Sequence, residues 1–315
     1  MKCLVTGAAG FIGSTLSDLL LDRGHDVLGI DCFTDYYPRR AKTANIAGAR
    51  GNPRFRFVEG DLLTLELGEL LVGMDWVFHQ AAQPGVRASW GANFDAYLRN
   101  NVLVTQRFLE AAKSSRIRRF VFASSSSVYG NSPELPLRES ARPQPVSPYG
   151  VTKLAAENLG CLYHANYGVP TALLRYFTVY GPRQRPDMAF NRFIGSALRG
   201  EELLIYGDGE QTRDFTYVSD ICAANLQAAE SDRAIGRVLN IGGGSRVTVN
   251  AVLEIISELL GRRVSVRHIE NQKGDVRHTL CDTSEAREVL GYSPRVSLRE
   301  GLAHQIEWMR GLVRA

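Results

Sequence analysis

Tyr149 and Lys153 stand four residues apart in Ser147-Pro-Tyr-Gly-Val-Thr-Lys153, so on a helix both side chains project from one face. A free tyrosine titrates near about 10. A cation beside it favours the phenolate and lowers that value toward working pH, which makes the pair a candidate proton-transfer unit. The same spacing also arises by chance on solvated helix faces, so the surroundings must decide. Ser147 suits an N-cap, Pro148 the first helical position and Gly168 the stop, which predicts a helix over 148–167.

Upstream, the chain is organised to receive a dinucleotide. Cys3-Leu-Val-Thr6 reads as a buried strand that runs into Gly7-Ala-Ala-Gly10-Phe11-Ile12-Gly13, and a helical pattern follows over 14–23. Glycines permit the tight turn and let backbone N–H groups approach a diphosphate, while the helix start adds a favourable dipole end. The spacing is Gly-x-x-Gly-x-x-Gly rather than Gly-x-Gly-x-x-Gly, but the required strand precedes it and the required helix follows. A second strand over 26–30 ends at Asp31. A carboxylate there accepts hydrogen bonds from an adenosine ribose and repels a 2′-phosphate, which favours NAD over NADP; a residue that merely opens a turn is the alternative.

The alternation continues with strand-like runs at 54–58, 75–78 and 119–123, each followed by a polar or small-residue loop. Repeated βα units of this kind predict an α/β fold with a doubly wound parallel sheet whose ligands bind at the strands' carboxyl ends. Asp61, followed by Leu62, is then placed as an adenine contact, and the small pair Ala81-Ala82 lets a dinucleotide pass close to the backbone. After about residue 175 the elements become shorter and more varied. The expected division is therefore a nucleotide-binding domain over 1–175 and a smaller carboxyl-terminal substrate-binding lobe over 176–315, with some later segments returning to the first domain.

A chain of 315 residues with 44% hydrophobic and 22% charged residues is long enough for a large core. The net charge of +4 is mild and its basic residues are scattered, which permits an anionic small molecule and argues against nucleic acid. No apolar run reaches the roughly 18 residues of a membrane span, so a soluble, cytoplasmic protein is expected. The five cysteines never fall in a Cys-x-x-Cys spacing, and the histidines, among them His79, His268 and His278, show no metal-ligand spacing. Free thiols and no metal are expected.

Taken together, Gly7-x-x-Gly10-x-x-Gly13, Asp31, Gly60-Asp61-Leu62, His79-x-Ala-Ala82, Ser124-Ser-Ser-Ser-Val-Tyr-Gly130, Tyr149-x-x-x-Lys153 and Gly207-Asp-Gly-Glu-Gln-Thr-Arg-Asp-Phe-Thr-Tyr217 resemble the NAD-dependent nucleotide-sugar epimerases and dehydratases, a branch of the extended short-chain dehydrogenase/reductases. The resemblance spans essentially the whole chain. It implies a Rossmann-type NAD domain, a UDP-sugar lobe, and a homodimer formed through two long helices per subunit, here 93–114 and 148–167. It also implies that Tyr149 deprotonates a sugar hydroxyl while the adjoining carbon gives hydride to bound NAD, that Lys153 holds the ribose and depresses the tyrosine pKa, and that Ser125 hydrogen-bonds the same hydroxyl.

Dehydratases of the family carry Asp-Glu at the positions of Ser126 and Ser127, and decarboxylases carry Glu at that of Ser127. With neither acid here, the resemblance implies reversible oxidation, that is, 4-epimerisation. Asp31-Cys-Phe-Thr-Asp-Tyr-Tyr37, Ala81-Ala-Gln-Pro-Gly-Val-Arg87 and Arg175-Tyr-Phe-Thr-Val-Tyr-Gly-Pro-Arg-Gln-Arg-Pro-Asp-Met188 look most like the UDP-glucuronate 4-epimerases; UDP-galactose 4-epimerases have Asn where Thr178 stands. Ser126, Ser127 and Thr178 could then donate to the sugar carboxylate, with Arg185 near it or near the diphosphate. Arg213 and Arg277 match diphosphate and ribose contacts. Tyr206 is placed beside the uracil or in the core, and Arg87 at a phosphate or simply at the surface. A neutral UDP-glucose or UDP-N-acetylglucosamine epimerase, and a non-catalytic nucleotide-binding protein, are the alternatives.

Overall fold

Strand runs that are apolar at consecutive positions can be buried only in a sheet covered on both faces. The computed structural model describes residues 1–270, 274 and 276–314 and contains such a sheet. In chain order the strands are β1 (Lys2–Thr6), β2 (Asp26–Asp31), β3 (Phe55–Glu59), β4 (Trp76–His79), β5 (Arg119–Ser125), β6 (Thr171–Tyr176), β7 (Thr178–Tyr180), β8 (Leu203–Tyr206), β9 (Thr212–Tyr217), β10 (Arg237–Ile241), β11 (Arg246–Thr248) and β12 (Val266–Ile269). Seven of them form one all-parallel sheet in the order β10-β6-β5-β4-β1-β2-β3. The strand order reverses between β1 and β4, and the loops on either side part to leave a ligand crevice there.

The period of two is visible in the packing. Cys3 and Val5 of β1 join one core, with helices Phe11–Asp22 and Val218–Glu230, while Leu4 joins the other, with helices Val104–Lys113 and Pro148–Tyr167. On β5, Val121 and Ala123 face the first core and Phe120 and Phe122 the second. The expected α/β sheet is therefore present. A smaller three-stranded sheet, β11-β9-β7, and a parallel pair, β12-β8, lie beyond it, and β10 returns late in the chain to the edge of the large sheet beside β6. Among the described residues no helix is long and apolar enough to cross a membrane.

Helix Pro148–Tyr167 forms as its end signals predict. The Ser147 hydroxyl accepts a hydrogen bond from the Gly150 N–H (3.1 Å), and Gly168 closes the helix in the left-handed region at φ 69°. The stretch 93–114 is not the plain helix expected. Helix Phe94–Tyr97 widens into a π-helical segment, Leu98–Leu103, before helix Val104–Lys113. The wide turn brings Asn101 inward, where its side chain accepts from Gln83 N (2.7 Å) and donates to Gln83 O (3.1 Å) and Thr152 Oγ1 (3.0 Å). That one side chain pins the loop after β4 to the helix of Tyr149.

The carboxyl ends of β5 and β6 are tied by a buried polar network. Arg175 and Glu157, 4% and 2% exposed, pair through Nε–Oε2 (2.9 Å) and Nη2–Oε1 (2.6 Å). Ser124 Oγ also donates to Glu157 (2.6 Å), Arg175 donates to Tyr129 Oη (2.7 Å), and Tyr129 donates to Asn240 (2.7 Å). Removing one partner of such a pair strands a buried charge, at a cost of about 3–5 kcal/mol. An Arg175→Met variant is therefore expected to lower the urea unfolding midpoint by a corresponding amount, whereas removal of the exposed pair Arg233–Glu288 should leave it nearly unchanged.

Candidate active site

The first loop of the crevice is a turn that only glycine can make. Gly7 has φ 67°, and a Cβ there would meet the Ala81 backbone at 2.9 Å; one at Gly13 would run into the Gly7 carbonyl oxygen. Helix Phe11–Asp22 starts at Gly10 with no side-chain cap, so its first backbone donors are left for a ligand. Gly7, Gly10, Phe11, Ile12, Gly13, Asp31, Asp61, Leu62, Ala81, Ala82, Tyr149 and Lys153 all line this one cleft, so the fold assembles the whole set assigned to the cofactor. Asp31 is buried, and its two oxygens accept one backbone N–H each, from Ala9 (3.1 Å) and Phe33 (2.8 Å). A carboxylate has about four acceptor positions, so capacity for ribose hydroxyls remains. Asp61 accepts from Leu63 N (2.9 Å).

At the far end of the cleft, burial pushes the Tyr149 phenol up, against the pull of a Ser125 hydrogen bond and the Arg185 charge. Burial also lowers Lys153 to about 7, opposed by the Glu157 carboxylate one helical turn away. Its ammonium sits 4.6 Å from the centroid of the Phe122 ring. The groups that ease Tyr149 ionisation in this arrangement are thus Ser125 and Arg185, where the sequence places Lys153 in that part. Arg185 is held by Asp187 through Nε–Oδ1 and Nη2–Oδ2, both 2.9 Å.

His79 is buried behind the cleft. Thr6 Oγ1 accepts from Ala81 N (3.1 Å) and meets His79 Nδ1 at 2.8 Å. Thr105 Oγ1 donates to Asn101 O (2.7 Å) and accepts from His79 Nε2 (3.2 Å). This chain fixes a neutral ring with its proton on Nε2, and burial together with the Lys153 charge lowers its pKa to about 3. His79 therefore braces the loop that carries Ala81 and Ala82.

The residues assigned to the sugar and the UDP fall into two groups. Ser125, Ser126 and Ser127 end β5 and enter the short turn Ser126–Val128; Ser125 pairs in register with Tyr176 of β6, two residues before Thr178. Of these, Ser125 is the one hydrogen-bonded to Tyr149. Arg87, Tyr206, Arg213 and Arg277 form a second cluster. The Arg87 guanidinium stacks 3.9 Å from the Tyr206 ring centroid, and the Arg277 carbonyl accepts from Arg213 Nη1 (3.3 Å). Arg277 is engaged bidentately by Asp208 (2.9 and 2.7 Å), which holds that carboxyl at about 2.

The sequence reading missed several lining groups. Tyr36, Tyr37 and Lys42 follow β2 and line the cleft, while Arg192 belongs to the second group, 6.0 Å from the Tyr206 ring centroid. Their only signal was an aromatic-rich loop after Asp31 and one more arginine in an amphipathic helix. Tyr37 Oη is buried with no partner among the described residues, although it lines the cleft.

A model of the NAD dependent epimerase/dehydratase family matches residues 3–242. The chain belongs to this family. It is 45% identical over 99% of both chains to a Bacillus subtilis protein described as an uncharacterized UDP-glucose epimerase, YtcB. It superposes with a TM-score of 0.96, at 44% identity over 99% of this chain and 100% of the other, on UDP-glucuronic acid 4-epimerase from Bacillus cereus in complex with UDP-glucuronic acid and NAD. MoeE5 in complex with UDP-glucose and NAD gives a TM-score of 0.89 at 46% identity, with 99% of this chain and 100% of that one covered.

The family's cofactor suits the residues present. The glycine turn, the uncapped helix start, the spare acceptor capacity of Asp31 and the orphaned hydroxyl of Tyr37 are all polar features turned toward one elongated cleft. Among the described residues no cluster of His, Cys, Asp or Glu is arranged to hold a metal, and all five cysteines are free.

Two outcomes follow from this geometry. A Gly13→Ala variant should fold, with unchanged far-ultraviolet circular dichroism, yet release little NAD on denaturation compared with the wild-type protein. The second concerns pH. The native His79 ring titrates near 3 and an unfolded histidine near about 6.5, so between these values the unfolded chain binds the extra proton. Stability from this group is complete above pH ~6.5 and is lost as the pH falls toward 3. A His79→Asn variant, whatever its absolute stability, should lose less Tm between neutral and acid pH than the wild type does.

Proposed function

We propose that this NAD-dependent UDP-sugar 4-epimerase acts on UDP-glucuronate and produces UDP-galacturonate through a transient 4-keto sugar. The observation that carries the choice of sugar is Arg185 beside Tyr149, at a strand edge rich in hydroxyls and without an acid at 126 or 127. A guanidinium and the hydroxyls of Ser126, Ser127 and Thr178 suit a carboxylate on the sugar. The relative bound to UDP-glucuronic acid supports the same reading, as does a UDP-glucuronate 4-epimerase from Thermodesulfobacterium geofontis at 36% identity.

Tyr149 takes the O4 proton, and the Ser125 hydroxyl, hydrogen-bonded to it, orients that transfer. Lys153, buried one turn along the helix, holds the ribose of the cofactor. When bound, NAD supplies the acceptor and later the donor of the C4 hydride. Tyr149 then returns its proton, so it acts as base and as acid in one cycle. No side chain at 126 or 127 can drive elimination. A 4-keto uronate is a β-keto acid that loses carbon dioxide when the breaking bond aligns with the carbonyl π system; donors that hold the carboxylate out of that alignment protect it.

A neutral sugar is the second reading, favoured by YtcB and by MoeE5, which has been seen with UDP-glucose and with UDP-glucuronic acid. A homodimer is also part of the proposal. Leu98, Leu103, Val151 and Leu162 are 42–54% exposed on the two helical stretches expected to pair with a second copy.

Incubation with UDP-glucuronate, followed by NMR, should give UDP-galacturonate without net NADH and without UDP-pentose, at a higher kcat/KM than for UDP-glucose. A preference for UDP-glucose would move the assignment to the neutral sugar. Tyr149→Phe should lose about 100-fold or more in kcat. Full turnover in that variant would remove the assigned base.

A further inference from the structure

Four segments that are distant in the chain meet around Tyr149, and the contact that joins two of them is not part of the proton relay. Asp187 grips the Arg185 guanidinium along its Nε–Nη2 edge, with both bonds at 2.9 Å. Tyr36, from the loop after β2, donates to Asp187 Oδ2 (3.3 Å) and lays its ring 5.7 Å from the Arg185 guanidinium. The Tyr36 hydroxyl occupies the space a Cβ would need at Gly85, whose φ of 101° also demands glycine. Tyr97 fastens the same loop through the Pro84 and Gly85 carbonyls, both at 2.8 Å, and its ring lies 6.3 Å from that of Tyr149. Arg185, Tyr36 and Tyr149 line one cleft.

We propose that Asp187, braced by Tyr36, is the positioning residue of this site: it fixes the plane of the Arg185 guanidinium and limits how much of its positive charge acts on Tyr149. A guanidinium has five N–H groups, of which Asp187 engages two, so donors remain for a ligand on the cleft side. A bidentate carboxylate both orients the planar group and offsets its charge. The groups that face Tyr149 are Ser125 at the end of β5, Tyr97, Arg185 and, on its own helix, Lys153. Of these, Arg185 is the one whose charge a carboxylate in direct contact modulates within the cleft. The Tyr149 burial that disfavours the phenolate is thus countered by a cation whose strength Asp187 sets.

The proposal rests on Tyr149 being the proton acceptor, and it holds for any sugar the site takes. Asp187→Asn keeps the shape and removes the negative charge, so the guanidinium acts on Tyr149 unopposed and the phenolate forms more readily. The acid limb of kcat/KM that reports Tyr149 is expected to move to lower pH, by on the order of half a unit. In Arg185→Gln the same Asp187→Asn change should produce no shift, because the charge it releases is absent. Tyr36→Phe should raise KM and leave the limb in place. A limb in Asp187→Asn that coincides with the wild type, moves to higher pH, or shifts equally with and without Arg185 would overturn the proposal. The profiles are measured with whichever of UDP-glucuronate or UDP-glucose the wild type turns over faster. Failure of the uronate reading thus shows in the wild-type comparison alone, and failure of the Asp187 reading in the limb. Full turnover by Tyr149→Phe would remove the proton acceptor and overturn the Asp187 proposal, leaving the choice of sugar to the wild-type comparison.

Discussion

A buried ion pair, Arg175–Glu157, carries much of the organisation around the reaction centre. Its partners come from β6 and from the helix that bears Tyr149 and Lys153, and its hydrogen bonds extend to Ser124 on β5, Tyr129 in the turn after it, and Asn240 on β10. Two charges removed from water are tolerated only when their remaining donors and acceptors are satisfied, which forces these segments into one geometry. Burial opposes the Arg175 charge, and the Glu157 carboxylate more than offsets it. The same carboxylate opposes the loss of charge at Lys153, so one anion serves both the frame and the site.

The site follows from that constraint. Ser124 is held by Glu157, and its neighbour Ser125 is thereby delivered to Tyr149; Asn101 ties the loop after β4 to the same helix from the other side. Behind the loop, His79 stays neutral and turns its two nitrogens into a rigid brace between Thr6 and Thr105. Arg185, Tyr36 and Asp187 are joined by hydrogen bonds, and Arg185 and Tyr36 line the same cleft as Tyr149.

The sequence alone determined the large sheet, the glycine turn, Asp31 and the Tyr149–Lys153 helix, because each is a local signal. A strand's apolar run, a cap, a stop and a turn that excludes Cβ are dictated by neighbouring residues, and the cofactor residues follow one another around a single strand edge. Tertiary structure decided what depends on segments far apart in the chain. The π turn that swings Asn101 inward, the pairing of Glu157 with Arg175, and the approach of Tyr36 to Asp187 across 151 residues leave no periodic trace. A helix pattern reads the same whether one turn is widened or not, and a lone Glu or Asp reads as a solvated charge until the fold buries it. The division of electrostatic labour at Tyr149 was also invisible for that reason: Lys153 is near it in sequence, while Ser125 and Arg185 are near it only in space, and electrostatic influence depends on that distance and on burial.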